Sequence, residues 1–385
     1  YHFLKHQAAE FGFSFDNLSY DWSKVIGRSR QVSDRLCGGI EFLFKKNGVD
    51  YLRGKGSLAG STETGLHKVE VTTGEGTTET HEAQHVLIAT GCSARDLPFL
   101  PFDQTRVLSA REAMLLEKQP ESMIIIGAGA IGVEFAYFYN AFGTQVTIVE
   151  MMDHLLPVED TDVSVALERS FKKQGIKFLG AHKTTAANVT ENGVELTIEP
   201  AQGGESQTLS ADVTLVAVGV QPILPAGSEN ITLTDRGYLQ LDERYQTSLP
   251  NVYAAGDIIG PPWLAHVASF EAIQVIDGIF VEGHVPQKVD LFPGCTYCHP
   301  EVASIGLTEA QAIEQGIAYR IGRFPFLANG KAQGAMAADG FVKVLLGEPH
   351  GEIVGAHIVG SEATELIGEL ALARSAECTA DEVLY

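Results

Sequence analysis

Met123-Ile124-Ile125-Ile126-Gly127-Ala128-Gly129-Ala130-Ile131-Gly132-Val133-Glu134-Phe135-Ala136 decides the fold, because an apolar strand runs straight into a glycine-punctuated turn that opens a helix. A second strand, Gln145-Val146-Thr147-Ile148-Val149, ends on Glu150. A strand, glycine turn, helix, strand and terminal acid in that order form a dinucleotide-binding βαβ unit. Gly127 permits the tight turn, Gly129 lets backbone approach a pyrophosphate, and Gly132 allows the helix to lie close on the strand. Ala128, Ala130, Ile131 and Val133 complete the turn and the first helical residues, whose free N–H groups face the phosphates. Glu150 is placed to accept hydrogen bonds from ribose hydroxyls. The competing reading of the glycines is a tight turn that only packs.

Charge selects between cofactors. A carboxylate about 4 Å from a 2′-phosphate costs about 4 kcal/mol per unit charge at an effective dielectric of about 20. No Arg or Lys occurs between Met151 and Pro157 to offset it, so NAD is expected rather than NADP. Glu134, two residues into the helix, has a plain explanation as an acid on the positive helix end, worth about 0.3–1 kcal/mol.

With 385 residues the chain exceeds one ordinary core, and two or three domains are expected. Its 27 Lys and Arg against 49 Asp and Glu leave a net charge of −22, which repels phosphate backbones and anionic headgroups. Nucleic acid and membrane surfaces are therefore not expected partners. No apolar run reaches the roughly 20 residues of a membrane span, and no signal peptide opens the chain. Five cysteines, an odd number, do not make a secreted disulfide framework, so a cytoplasmic location is expected.

Outward from the glycine turn, the first fifty residues read as helical up to Asn47-Gly48. Val49–Leu52, Lys68–Thr72 and Val86–Ala89 read as strands broken by Gly54-Lys55-Gly56 and Gly74-Glu75-Gly76. Alternating strands and helices are expected from Met123 to about Gln240. Strands at Asn251–Ala255, Phe341–Leu346 and Ile353–Val359, with a helix from Glu362 to Glu377, complete the reading.

Cys295-Thr296-Tyr297-Cys298-His299 satisfies the formal pattern for covalent haem attachment and for half a zinc site. Neither is expected: haem attachment needs export, zinc needs further ligands, and a redox dithiol needs a helix start. The two thiols read as structural, at the start of a strand, and no metal site is assigned.

Four segments together resemble the pyridine nucleotide disulfide oxidoreductase family, most closely its dihydrolipoamide dehydrogenase branch: Val86–Gly91; Ile126–Glu134 with Val149-Glu150; Thr247–Asp257; and His299–Glu309. The resemblance implies an α/β fold with two Rossmann-like domains for FAD and NAD and a C-terminal α+β interface domain. The expected boundaries are 1–113 for the first part of the FAD domain, 114–242 for the NAD domain, 243–290 for the second FAD part and 291–385 for the interface domain.

It further implies an enzyme in which dihydrolipoamide reduces a disulfide, the dithiol reduces FAD, and FAD passes hydride to NAD. Asp257 would hold the ribityl hydroxyls of FAD, and Trp263-Leu264-Ala265-His266 would pass beside the flavin. Gly56 and Thr90-Gly91-Cys92 would line its adenosine and pyrophosphate region. Thr184 and Gly219 match positions near NAD, and Glu134 matches the assisting acid beside the nicotinamide. Asp257, taken alone, also suits a turn cap. Expected partners are the lipoyl domains of 2-oxo acid dehydrogenase or related complexes, and a second copy of the chain that supplies each active site with its catalytic base.

This sequence departs from the family pattern in two places. Val220-Gln221-Pro222-Ile223 stands where Arg-x-Pro-Asn is usual. The family's flavin-binding glycine turn with its Cys-x4-Cys pair, and its His-Pro pair with a following Glu, are missing from the 385 residues. The chain therefore reads as a fragment, expected to bind NAD, to hold FAD weakly or not at all, and to oxidise no dihydrolipoamide. The alternatives are an NADPH-dependent relative of the glutathione or mercuric reductase type, and a redox-inactive nucleotide-binding partner.

Overall fold

The computed structural model describes residues 1–288 and 291–384. Two compact units emerge: one holds Tyr1–Gly27, Arg95–Gly219 and the chain from Leu291 onward, the other Arg28–Ala94 and the chain from Val220. The expected boundary at 290 and the end at 385 lie outside the described residues. Among the described residues no helix is long and apolar enough to cross a membrane.

The first unit is built on a five-stranded sheet in the order Val107–Leu108, Val213–Val216, Ser122–Ile126, Gln145–Val149, Lys177–Leu179, with every pair parallel. After Ser122 its central strand is apolar because both faces are covered: Met123, Ile124, Ile125 and Ile126 are all buried. Helix Ala130–Ala141 follows that strand, and helix Thr161–Gln174 is capped by the Asp160 carboxylate and closed by Gly175 in the left-handed region.

The expected alternation stops at Lys177–Leu179. Residues 182–211 instead form an antiparallel sheet of His182–Thr190, Gly193–Pro200 and Gln207–Ala211. The period is the reason: Val194, Leu196 and Ile198 are buried while Glu195 between them is exposed, a two-residue repeat that suits hairpins and not helices.

From Leu291 a second five-stranded sheet, antiparallel throughout, runs Gly294–Thr296, Glu301–Gly306, Ile353–Gly360, Phe341–Gly347, Tyr319–Pro325. Helix Ala363–Ser375 presents Ala363, Ile367, Leu370 and Ala373 to Ile305, Ala356 and Ile358. The two five-stranded sheets of this unit share one core, in which Leu167 and Phe171 of the parallel layer meet Val302, Phe341 and Val359 of the antiparallel one.

A buried ion cluster stitches the same junction. Lys343, wholly buried, places Nζ 2.7 Å from Asp160 Oδ1 and 2.9 Å from Asp162 Oδ2, and bonds Glu309 Oε2 as well. The Glu309 N–H donates to Asp160 Oδ2 at 3.1 Å, and Ser304 Oγ donates to Glu159 Oε1 at 3.1 Å. Burial pulls the lysine pKa down, but the three carboxylates together hold it above its ordinary value. Burial likewise pushes Asp160 up, and its bonds from Lys343 and two backbone N–H groups outweigh that and hold it low.

The second unit carries most of helix Trp22–Lys46, an antiparallel sheet of Lys55–Ser61, His67–Thr72 and Thr78–Ala83, a parallel pair Val86–Ile88 with Val252–Ala254, and helix Ala265–Phe280. Its core gathers Ile88, Ile231, Leu239, Val252, Ala254 and Ile258. Three expectations for the first sixty residues are corrected. Helix is confined there to His2–His6 and Trp22–Lys46. Val49–Leu52 has no ladder: Gly48 turns left-handed at φ 69° and the Val49 N–H folds back onto Phe44 O, which spends the segment closing the helix. Gly54-Lys55-Gly56 does not break a strand but begins one, since a Cβ on Gly54 would stand 2.7 Å from Thr72 O, so glycine is what the close approach of neighbouring backbone requires.

Two stability measurements follow from this packing. A Cβ on Gly132 would lie 2.0 Å from Gly127 O, so Gly132→Ala is expected to cost about 2–3 kcal/mol in urea unfolding, and a loss under about 0.5 kcal/mol would refute the tight packing. Because Asp160 is held low on folding, its contribution is full above the unfolded carboxyl value of 3.8 and disappears as pH falls through the lower folded value. Asp160→Asn is therefore expected to destabilise the protein at neutral pH and to differ little from the parent at the acid end of a pH-resolved melting series. A difference that stays constant across that series would contradict it.

Candidate functional site

The glycine turn sits at the carboxyl end of the parallel sheet, where open α/β sheets bind ligands. Gly127 has φ 107°, and a Cβ there would meet Ala217 O at 2.4 Å. Gly129 is the helix N-cap and has no atom within 4 Å of a Cβ position, so the space beside the helix end is open there. The helix has neither a side-chain cap nor an acid in its first turn. Its positive end is thus left for an outside anion.

Glu150 is fixed in two directions. Its Oε2 accepts from Ala128 N at 2.7 Å and its Oε1 from Met152 N at 2.9 Å. A carboxylate has about four acceptor positions, so lone pairs remain for a hydroxyl. The Leu156 N–H donates to Ala128 O at 2.9 Å and ties the next loop to the glycine turn.

Thr184 and Gly219 fall at the same sheet end. The His182 N–H bonds Glu150 O, two residues before Thr184, whose Oγ1 is buried without a partner. Gly219, exposed at φ 110°, follows the Ala217 N–H that bonds Ile126 O. An orphaned buried hydroxyl, an open helix end and an oriented acid fit a dinucleotide.

Glu134, further along the same helix, accepts the Tyr297 N–H on Oε1 at 2.8 Å; burial nonetheless leaves its pKa raised. Its bonding partner lies inside the Cys-x-x-Cys-His stretch. Cys298 is buried and donates to Pro300 O at 3.0 Å, and burial pushes the Cys295 thiol up and the Cys298 thiol well up, away from the thiolate needed for exchange or metal binding. Cys295 lies in strand Gly294–Thr296, whereas Cys298 lies just past it. All five cysteines are free.

In the second unit, Thr90-Gly91 and Gly256-Asp257 follow strands Val86–Ile88 and Val252–Ala254, which are parallel, so both turns leave from one edge. Thr90 Oγ1 donates to Ile223 O at 2.6 Å, and Cys92 Sγ to Asp257 O at 3.1 Å. Burial raises the Asp257 carboxyl and, first among its causes, the Cys92 thiol. Leu264 caps helix Ala265–Phe280, which sets Ala265 and His266 in its first turn, with Trp263 partly exposed beside Tyr238. Gly56 lies apart, in the antiparallel sheet opposite Val71. The shared edge suits a bound cofactor in the same way as the glycine turn does.

The Lys343 cluster escaped sequence reasoning. The usable signal was a lysine inside the apolar run Phe341–Leu346, because a buried lysine requires acid partners. Among the described residues, Asp160, Asp162 and Glu309 form the acid group with metal-like spacing, and the Lys343 ammonium already fills it.

Comparison with known proteins places this geometry. Residues 4–272 match the pyridine nucleotide-disulphide oxidoreductase family and residues 292–384 match its dimerisation domain. A dihydrolipoyl dehydrogenase of Chlorobaculum parvum is 41% identical over 96% of this chain and 78% of its own. That of Zymomonas mobilis is 38% identical over 100% of this chain and 82% of its own. The crystal structure of LpdA from Mycobacterium tuberculosis superposes with a TM-score of 0.89 at 28% identity, covering 99% of this chain and 82% of that one. The chain belongs to the pyridine nucleotide-disulphide oxidoreductase family, in its dihydrolipoyl dehydrogenase branch, whose members use FAD and NAD.

Proposed function

We propose that this protein is an NAD-linked dihydrolipoamide dehydrogenase whose dinucleotide site is the turn Gly127–Val133 with Glu134, Glu150, Thr184 and Gly219. The observation that carries the reading is the pairing of an uncapped helix end at Gly129 with a Glu150 carboxylate held by two backbone N–H groups. The open N–H groups bind pyrophosphate, Glu150 orients the adenosine ribose, and Thr184 offers its unpaired hydroxyl. Gly56, Thr90, Gly91, Cys92, Asp257 and Trp263–His266 form the flavin side, with Asp257 holding ribityl hydroxyls. FAD and NAD, when bound, supply the hydride chemistry. Glu134 keeps its position through the Tyr297 N–H and faces the nicotinamide as an assisting acid.

On this reading residues 114–242 serve NAD, 1–113 and 243–290 serve FAD, and the segment from 291 pairs two copies. Lipoyl domains of 2-oxo acid dehydrogenase or related complexes are the partners that present dihydrolipoamide.

Calorimetric titration tests the dinucleotide site directly. The unaltered protein is expected to bind NAD more tightly than NADP. Glu150→Arg is expected to weaken NAD at least about tenfold, or about 1.4 kcal/mol, and to narrow or invert that preference. A parent protein that prefers NADP, or a variant with unchanged preference, would refute the assignment.

A further inference from the structure

We propose that Lys343, a residue of the antiparallel sheet, is a positioning residue for the dinucleotide site, acting through the loop between Glu150 and Asp160. The inference rests on the dinucleotide reading above and adds to it a determinant from the dimerisation domain.

The loop is clamped at three points. At its start Met152 N–H bonds the Glu150 carboxylate, and in its middle Leu156 N–H bonds Ala128 O of the glycine turn. At its end Asp160 meets Lys343 Nζ at 2.7 Å while capping the helix Thr161–Gln174. Leu156 is fully buried yet sits at φ 50°, in the left-handed region that a branched side chain disfavours. Such a conformation persists only where the surroundings over-determine it, and the outer clamp is the ion cluster.

The cluster has an imbalance built in. Asp160, Asp162 and Glu309 all bond one ammonium, and Arg323 reaches Asp162 from outside at 3.4 Å. His357, packed beside them with Nδ1 buried and unpartnered, is held neutral mainly by burial. Tyr319 Oη donates to Glu309 Oε1 at 3.1 Å, and Glu159 next door is itself pushed towards its neutral form by burial. Without the Lys343 charge three carboxylates face one another, Asp160 buried and Asp162 and Glu309 each about one-third exposed. Glu309 and its helix are anchored by the Thr308 capping box, so the loop end at Asp160 is the part that yields. Movement there shifts Leu156 against Ala128 and loosens Glu150.

ADP-ribose is the probe, since it spans the pyrophosphate and ribose contacts and carries no redox chemistry. Titrations are run calorimetrically on the purified protein, well below the thermal midpoint of each variant. Lys343→Met is expected to weaken ADP-ribose about tenfold. Adding Glu309→Gln to it removes one repelling charge and is expected to restore part of the affinity, which a loss of packing alone would not do. Lys343→Ala is expected to regain affinity in ethylammonium. Should Lys343→Met fail to fold, Asp162→Asn, partly exposed and outside the loop, carries the test with an expected weakening of about threefold. Unchanged affinity in the folded variants, or loss that neither the second substitution nor ethylammonium relieves, overturns the inference alone. Absence of ADP-ribose binding by the unaltered protein removes the dinucleotide reading and this inference with it.

Discussion

The approach of one helix to one strand governs this molecule. Gly132 lets helix Ala130–Ala141 settle so that a single added carbon would stand 2.0 Å from Gly127 O. From that contact the rest of the site is placed: the helix end points into open space beside Gly129, the central strand stays buried on both faces, and Val149 delivers Glu150 alongside the turn. Backbone geometry here does the work that side chains do in most sites. It also explains why the turn tolerates no cap, because any side chain bonded to the first N–H groups would compete with an incoming phosphate.

A site made of backbone depends on what holds the backbone, and the support comes from the chain beyond Leu291. Tyr297 N–H reaches Glu134, Ser304 reaches Glu159, and Lys343 reaches Asp160, each crossing from the antiparallel sheet to the dinucleotide layer. A shared apolar core of Leu167, Phe171, Val302, Phe341 and Val359 lies between those polar crossings. Burying one ammonium among three acids is a weak route to stability but a strong route to a single register, since slipping the sheets strands the charges. The dimerisation segment is therefore structurally continuous with the dinucleotide layer.

The sequence was most legible where local chemistry and tertiary role agree. Strand Gln145–Val149 and the end of helix Trp22–Lys46 at Asn47-Gly48 were expected as found, as was the edge of the strand before Gly256-Asp257, because apolar period and glycine position act over a few residues. The helices expected after Leu179 do not form, because that stretch has a period of two. Gly54 reads as punctuation in the sequence, whereas its reason is a neighbour, Thr72, eighteen positions away. Lys343 was invisible for the same cause: its partners lie 34 to 183 positions distant, and nothing within the strand names them. Features defined by local backbone conformation are thus readable, whereas residues defined by long-range partners are not.

The net charge of −22 poses a last problem, because the proposed ligand is itself an anion. Screening resolves most of it: at physiological salt, charges more than about 8 Å apart act weakly on one another, so the distant acids matter little to a phosphate at Gly129. What the phosphate meets at contact distance is the bare positive end of a twelve-residue helix with no acid in its first turn. The Glu150 carboxylate beside the turn has both oxygens turned to the backbone N–H groups of Ala128 and Met152, which draws part of its charge away from the phosphates. On the proposed reading, the same two bonds fix it where an additional phosphate on the ribose would meet it head on. Local polarity, on that reading, decides binding and its selectivity together.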